Sequence, residues 1–164
     1  MGAMRLSHPS VKALDALLPV LAGARTGGKT IVFTNGCYDV LHPGHVDLLA
    51  RAAGLGDILV LGLNSDDSVR RQNKGADRPV NTFADRAFVL AHLASVDYIV
   101  EFDEDTPERL IKAIEPDVLV KGGDWPVEAI AGSDIVTVRG GRALSLPLVQ
   151  GYSTTGLLKK VRRT

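Results

Sequence analysis

The strongest constraint on the fold is the alternation of short apolar segments with segments of helical spacing. Five strand-like runs are apolar at nearly every position, and they cover residues 30–34, 57–63, 98–101, 117–120 and 135–138. Helical spacing is found over residues 11–21, 43–53, 84–93, 107–114 and 154–162. Strands without polar alternation are typical of a parallel sheet that is buried on both faces. The pattern therefore predicts an α/β fold: a doubly wound, Rossmann-like, parallel five-stranded sheet with helices on both faces.

Length and charge narrow the class of protein. The 164 residues carry 19 Lys and Arg against 19 Asp and Glu, and we expect a single domain over residues 1–164. Because the charges balance, no basic field is available to attract nucleic acid. The single cysteine excludes an intrachain disulfide framework and a four-cysteine zinc site. No apolar run reaches about 20 residues and no signal peptide is visible, so we expect a cytoplasmic protein without membrane contact. A homo-oligomer is compatible with the sequence but is not predicted by it.

In a doubly wound fold, ligands bind beyond the carboxyl ends of the strands, where the strand order reverses. This rule directs attention to the loops that follow Thr34, Leu63 and Val120. The first of these loops carries the densest chemical signal in the chain, in the run Thr-Asn-Gly-Cys-Tyr-Asp-Val-Leu-His-Pro-Gly-His over residues 34–45.

This loop joins a strand end to a helix start, which favours an anion. Free N–H groups and the positive end of the helix dipole face the loop, and glycines allow close approach to the backbone. His42 and His45 are three residues apart, so one helical turn brings both imidazoles to the same ligand. Two other interpretations stay open at this point: a metal site completed by Cys37 or Asp39, and ordinary surface histidines.

Residues 35–45 resemble the G-x-F-D-x-x-H-x-G-H signature of the cytidylyltransferase-like nucleotidylyltransferases, with Tyr38 in place of the usual Phe. A second element of that family, Ser-Thr-Thr at the start of the last helix, corresponds to residues 153–155. The resemblance implies the doubly wound fold and the transfer of a nucleoside monophosphate from ATP or CTP to a phosphorylated acceptor, with release of pyrophosphate. It also implies Mg²⁺, bound mainly through the phosphates of ATP.

The resemblance assigns candidate roles to individual residues. His42, His45 and Lys74 would be catalytic, with Lys74 on the β- and γ-phosphates. The residues expected to bind the nucleotide or to form its site are Asn35, Gly36, Cys37, Tyr38, Asp39, Gly44, Arg86, Lys121, Gly123, Asp124, Ser153 and Thr154. Two of these have simpler interpretations: Cys37 as a small buried residue, and Arg86 as a surface salt bridge.

The composition of residues 70–78 and 121–125 makes both segments candidates for contact with a ligand. Arg70, Arg71, Lys74 and Arg78 are expected to form a basic loop facing the phosphates, although a solvated charged loop would look the same. The Lys-Gly-Gly-Asp-Trp segment over residues 121–125 ends another strand, and it is either a ligand loop or a tight turn.

Residues 71–79, 96–107, 116–125 and 148–157 resemble the heptose 1-phosphate adenylyltransferases, which make ADP-heptose for lipopolysaccharide or related glycans. In many bacteria this domain follows a sugar kinase, and the length here leads us to expect the stand-alone form. Leu148 stands where the cytidylyl branch usually has Arg. The expected substrates are therefore ATP and a sugar phosphate. The alternatives are transfer to another phosphorylated alcohol, such as glycerol phosphate, and a non-catalytic ATP-binding module.

Overall fold

The structure is a computed structural model that describes residues 7–73 and 75–162. The described residues form seven α-helices and five β-strands. The strands are β1 (Ile31–Gly36), β2 (Ile58–Asn64), β3 (Tyr98–Phe102), β4 (Val118–Gly122) and β5 (Arg142–Leu146). The helices are α1 (Leu14–Thr26), α2 (Pro43–Ala53), α3 (Asp66–Arg71), α4 (Phe83–Ala91), α5 (Glu108–Ile114), α6 (Ser133–Val138) and α7 (Thr154–Val161).

All five strands are parallel, in the order β3-β2-β1-β4-β5. The chain runs outward from β1 through β2 to β3, crosses back to β4 on the other side of β1, and completes the sheet with β5 before it enters α7. The strand order therefore reverses between β1 and β4, where Thr34 is in register with Val120. A ligand site is expected beyond the carboxyl ends of these two strands.

Apolar side chains of the sheet alternate between two cores, one on each face. In β1, Val32 points to the core formed with α2 and α4, whereas Ile31 and Phe33 point to the core formed with α1, α5 and α6. Each of these three side chains has no exposed surface. The apolar runs of the sequence follow from this burial on both sides, and the predicted doubly wound architecture is confirmed.

Residues 135–138 were predicted to be a strand and instead lie in α6. Gly132, at φ +86°, turns the chain into that helix, which leaves Val136 buried and Val138 almost fully exposed. The fifth strand is β5, at the edge of the sheet, and its mixed sequence Arg-Ala-Leu-Ser-Leu does not form an apolar run. The prediction relied on continuous apolarity, which an edge strand does not need.

Two further differences affect the N-terminal region and the basic segment. Helix α1 begins at Leu14, because Val11 forms an isolated bridge with Ile99 instead of a helical turn. Residues 66–71, predicted as part of a loop, form α3, in which the Ser65 hydroxyl caps the helix by accepting from the Ser68 N–H at 3.0 Å.

Candidate functional site

A cleft lies at the predicted switch point, beyond the carboxyl ends of β1 and β4. Its volume is ≈ 140 Å³, and it is lined by Asn35, Gly36, Cys37, Tyr38, His45, Leu48, Lys121, Gly122 and Leu148. A neighbouring cleft of ≈ 190 Å³ shares Asn35 and Lys121 and extends towards Trp125 and Ile130. Six predicted site residues therefore line one cavity, although they come from two strands, a loop and a helix.

A larger cleft, of ≈ 360 Å³, lies at the opposite end of the sheet, around Asp117 and Gly141. None of the predicted site residues lines it. Since parallel α/β sheets bind ligands at the carboxyl ends of their strands, we place the functional site in the smaller pair of clefts.

The two histidines stack on each other where α2 begins. Their ring centroids are 3.7 Å apart and the ring planes differ by 16°, while Tyr38 contacts His45 with a centroid distance of 5.1 Å. His42 precedes the helix in extended conformation, and its carbonyl accepts from the His45 N–H at 2.9 Å. The spacing of three residues thus places both rings on one side of the first turn, as predicted.

The electrostatic environment favours a neutral His42. Burial lowers the pKa of His42 more than its own backbone raises it. Its Nδ1 is buried and has no hydrogen-bond partner among the described residues. If His42 and His45 were both protonated, the positive charges of the two stacked rings would also repel each other. A neutral imidazole can still donate one hydrogen bond to an anionic oxygen.

Gly44 keeps the histidine pair compact. A Cβ atom at this position would lie 3.1 Å from His42 Nδ1 and 3.2 Å from Tyr152 Cβ. The Tyr152 ring lies nearly parallel to His42, with a centroid distance of 6.3 Å. A side chain at residue 44 would therefore press on both His42 and the loop before α7.

The start of α7 lies beside residues 35–45, which we call the signature loop. The Thr154 hydroxyl donates to the Val40 carbonyl at 3.4 Å, which joins the helix to the loop. The Ser153 hydroxyl caps the helix by accepting from the Gly156 N–H at 3.0 Å. The first N–H groups of this helix, apart from the one that Ser153 caps, thus lie close to the histidine pair.

The loop after β4 is tightly turned. Gly123 has φ +121°, and a Cβ there would lie 2.7 Å from Trp125 Nε1. The indole N–H donates to the Gly122 carbonyl at 3.2 Å, and the Gly123 N–H donates to the Leu146 carbonyl at 2.8 Å. Asp124 is exposed, and Lys121 is half-buried between the two clefts.

Asp39 is buried behind the signature loop rather than in the cleft. Its carboxylate accepts from the Val80 N–H at 2.8 Å, from the Asn81 N–H at 2.9 Å and from the Arg78 guanidinium. Burial would raise the pKa of Asp39, but the two amides and then Arg78 hold it below its ordinary value. Asp39 was expected to help form the nucleotide site, and these contacts instead join it to residues 78–81.

Arg86 is also buried, so its interpretation as a surface salt bridge is wrong. Its guanidinium donates to the Cys37 carbonyl at 2.7 Å, to the Asn81 carbonyl at 3.1 Å and to the Asp66 carboxylate at 2.8 Å. These bonds join the signature loop, the 78–82 segment and α3. The sequence did not show them, because the Cys37 contact spans 49 residues.

The basic segment is not a uniform phosphate-facing loop. Arg70 pairs with Asp67, Arg71 with Asp103 and Asp105, and Arg78 with Asp39. These three arginines are thus compensated by carboxylates of the chain. Lys74 lies outside the described residues.

Two other predictions concern Cys37 and metal ligands. Cys37 is buried, with its Sγ 3.2 Å from Gln72 Oε1. Its surroundings fit the interpretation as a small packed residue. Within residues 7–73 and 75–162, no three His, Cys, Asp or Glu side chains converge to hold a metal ion.

No helix in the described ranges is both long and apolar enough to span a membrane.

Comparison with known proteins agrees with the geometry. The cytidylyltransferase-like family model matches residues 33–146. The chain is 51% identical over 156 residues to the bifunctional protein HldE of Geotalea uraniireducens, covering 95% of this chain and 32% of the relative. It is 51% identical over 167 residues to the bifunctional protein HldE of Mesorhizobium japonicum, covering 98% of this chain and 34% of the relative. The chain thus spans about a third of the length of these relatives.

Among solved structures, the chain is similar to the lipopolysaccharide core biosynthesis protein from Thermoplasma volcanium. The TM-score is 0.62 at 23% identity, over 77% of this chain and all of that one. This likeness supports the fold. The family match covers β1 to β5, including the histidine loop and the end of β4. The chain therefore belongs to the cytidylyltransferase-like family of nucleotidyltransferases.

Proposed function

We propose that this domain transfers AMP from ATP to a heptose 1-phosphate, giving ADP-heptose and pyrophosphate. The observation that carries the proposal is the stacked pair His42 and His45, of which His45 lines the cleft that opens where the strand order reverses. The acceptor is chosen by the resemblance of residues 71–79, 96–107, 116–125 and 148–157 to heptose 1-phosphate adenylyltransferases.

In the proposed reaction, a phosphate oxygen of the sugar 1-phosphate attacks the α-phosphorus of ATP. A new phosphorus–oxygen bond forms, the bond to the bridging α,β-oxygen breaks, and pyrophosphate leaves with the bonding electrons. The nucleophile is already an anion, so no protein base has to remove a proton. Catalysis then consists of positioning the substrates and stabilising the charge that develops on the α-phosphate and the leaving group.

His42 and His45 are suited to that task. A neutral imidazole in a partly desolvated site donates to an oxyanion more strongly than it would in water. We assign one donor to a non-bridging α-phosphate oxygen and the other to the bridging oxygen. Losing a donor of this kind typically costs about 10²–10³ in kcat.

The remaining residues would hold the nucleotide and the acceptor. Asn35, Gly36 and Tyr38 form the floor of the cleft. The N–H groups at the start of α7, capped by Ser153, would support the triphosphate together with Thr154 and Lys74. Lys121, which lines both clefts, is suited to a phosphate shared between the two substrates. We assign a contact with a substrate hydroxyl to Gly123 and Asp124.

Mg²⁺ would enter with ATP and neutralise charge on its phosphates. Mg²⁺ keeps several waters and is commonly held through substrate phosphates, so we assign the ion chiefly to phosphate oxygens and water. No side chain of this protein is assigned to the ion. We also propose that residues 1–164 act as one domain and that the reaction takes place in the cytoplasm, where ATP is available.

The proposal is tested by measuring pyrophosphate release with ATP and with CTP, each against heptose 1-phosphate and glycerol 3-phosphate. We expect release with ATP and heptose 1-phosphate, together with a sugar nucleotide of the mass of ADP-heptose. Preference for glycerol 3-phosphate or CTP would assign the site to another member of the family. Binding of ATP without pyrophosphate release from any pair would identify a non-catalytic nucleotide-binding module.

A further inference from the structure

We propose that Arg78 is a positioning residue, which acts through Asp39 to fix the loop that carries His42 and His45. The kinetic part of this inference rests on the proposed function, whereas its structural part does not. Arg78 belongs to the basic segment that composition alone assigns to the triphosphate, so the structure gives it a different role.

The Arg78 side chain is turned into the protein. Its side chain is 5% exposed and that of Asp39 is 0% exposed, and the Arg78 Nε donates to Asp39 Oδ2. A guanidinium committed to a buried carboxylate is not available to an incoming phosphate, because removing it would leave Asp39 as a buried, partly paired anion. Arg78 therefore contributes to the site through Asp39.

Segment 78–81 also holds Asp39 through bonds to both its side chain and its backbone. Its carboxylate accepts from the Val80 and Asn81 N–H groups at 2.8 and 2.9 Å. The Asn81 side-chain amide donates back to the Asp39 carbonyl at 2.7 Å. Segment 78–81 thus holds both the side chain and the backbone of Asp39, which lies three residues before His42.

The loop needs such support because part of its backbone is unfavourable. Tyr38 has φ +45°, a left-handed conformation that costs a bulky residue energy. It lies between two anchored positions: the Cys37 carbonyl, which accepts from Arg86 at 2.7 Å, and Asp39. On the far side, Thr154 donates to the Val40 carbonyl. Without Arg78, the loop loses one of the contacts that keep this turn and the following histidines in place.

The perturbation is Arg78→Met, with Arg78→Lys as the conservative variant and Arg139→Met as the matched control. Arg139 forms an ion pair with Glu115, with both side chains 43% exposed, and it lines the cleft at the opposite end of the sheet. Misplacing a catalytic group by about 1 Å can cost roughly 10²-fold in rate. We expect Arg78→Met to lower kcat by about 10- to 100-fold, Arg78→Lys by less, and Arg139→Met by less than about twofold.

The division of the effect between kcat and KM separates positioning from direct contact. The histidines act on the transition state, so their misplacement lowers kcat and changes the KM for ATP little. A guanidinium bound to the triphosphate would instead raise the KM for ATP when removed. A double variant, Asp39→Asn with Arg78→Met, is expected to be no slower than the worse single variant, because both changes disrupt the same Arg78–Asp39 ion pair.

A readout without substrate distinguishes failure of this inference from failure of the proposed function. The chain has four histidines, so the imidazole Cε1–Hε1 signals can be followed by NMR in the whole protein. Arg78→Met should shift the signals of His42 and His45. His8 and His92, which contact each other with ring centroids 4.7 Å apart, serve as internal references.

Unchanged His42 and His45 signals in a folded Arg78→Met protein would overturn the inference, whatever the enzyme's substrate. So would an effect confined to the KM for ATP. If Arg78→Met does not fold, Arg78→Lys provides the same test with unchanged criteria, and Asn81→Ala tests the other contact of the segment, since it removes the bond to the Asp39 carbonyl. Shifted signals without activity on heptose 1-phosphate in the wild-type protein would support the inference and refute the proposed function.

Discussion

Replacing Gly44 by alanine tests whether the site depends on the close packing of the histidine pair. The added Cβ would lie 3.1 Å from His42 Nδ1, 3.2 Å from His42 Cε1 and 3.2 Å from Tyr152 Cβ. Carbon contacts are optimal at about 3.5–4.0 Å, so the neighbours have to move by a few tenths of an ångström. His42 cannot retreat freely, because His45 is stacked on it at 3.7 Å.

A shift of this size should lower kcat by roughly tenfold, if a 1 Å displacement costs about 10²-fold. The effect on the free energy of unfolding should be small. Overpacking costs about 1–3 kcal/mol, while alanine in place of glycine in a helix recovers up to about 1 kcal/mol. We therefore expect a net loss of roughly 0–2 kcal/mol, too little to unfold a domain of ordinary stability.

Gly23→Ala is the matched control. Gly23 lies within α1, and a Cβ there would meet nothing within 4 Å. This change should stabilise the protein by about 0.5–1 kcal/mol and leave kcat unchanged. Both variants are compared by steady-state pyrophosphate release and urea denaturation. A Gly44→Ala enzyme with wild-type kcat would refute the idea that the histidines are positioned by close packing.

Three further predictions address single residues. His45→Ala should lower kcat by about 10²-fold or more with little change in the urea midpoint, and full turnover would contradict its assigned role. Asp124→Asn should reduce kcat/KM for one substrate by roughly 5- to 150-fold, because it weakens the assigned contact with a substrate hydroxyl. Asp124 is exposed, so the change should alter stability little. A lower Tm with unchanged kinetics would make Asp124 a turn residue only. The pKa of Asp39 is held below its ordinary value, so its ionised form stabilises the fold above pH ~4 and that contribution is lost as the pH falls further. Asp39→Asn should therefore destabilise the protein more at pH 7 than at pH 3, and an equal loss in urea unfolding at both would contradict this account.

The parts of the fold and site that the sequence predicted depend on short-range patterns. The apolar runs of β1 to β4 follow from burial on two faces, and the helix start at Pro43 places His42 and His45 on one side of a single turn. Both histidines belong to one contiguous segment, so their relative position follows from the geometry of a helix start.

The parts of the fold and site that were not predicted depend on residue pairs that are distant in sequence, and composition does not reveal such pairs. Arg78 and Asp39 are 39 residues apart. In sequence, Arg78 resembles its neighbours Arg70 and Arg71, but only Arg78 is paired in the interior. Strand β5 was missed for a related reason, because its sequence Arg-Ala-Leu-Ser-Leu is mixed and only its pairing with β4 identifies it as a strand.

The most direct test of the proposed reaction follows the two ends of ATP separately. The enzyme is incubated with Mg²⁺, heptose 1-phosphate and ATP labelled with ³²P at either the α- or the γ-phosphate. We expect the α-label in ADP-heptose and the γ-label in pyrophosphate, in equal amounts. Appearance of the γ-label in the sugar product, or absence of the α-label from it, would contradict transfer of AMP.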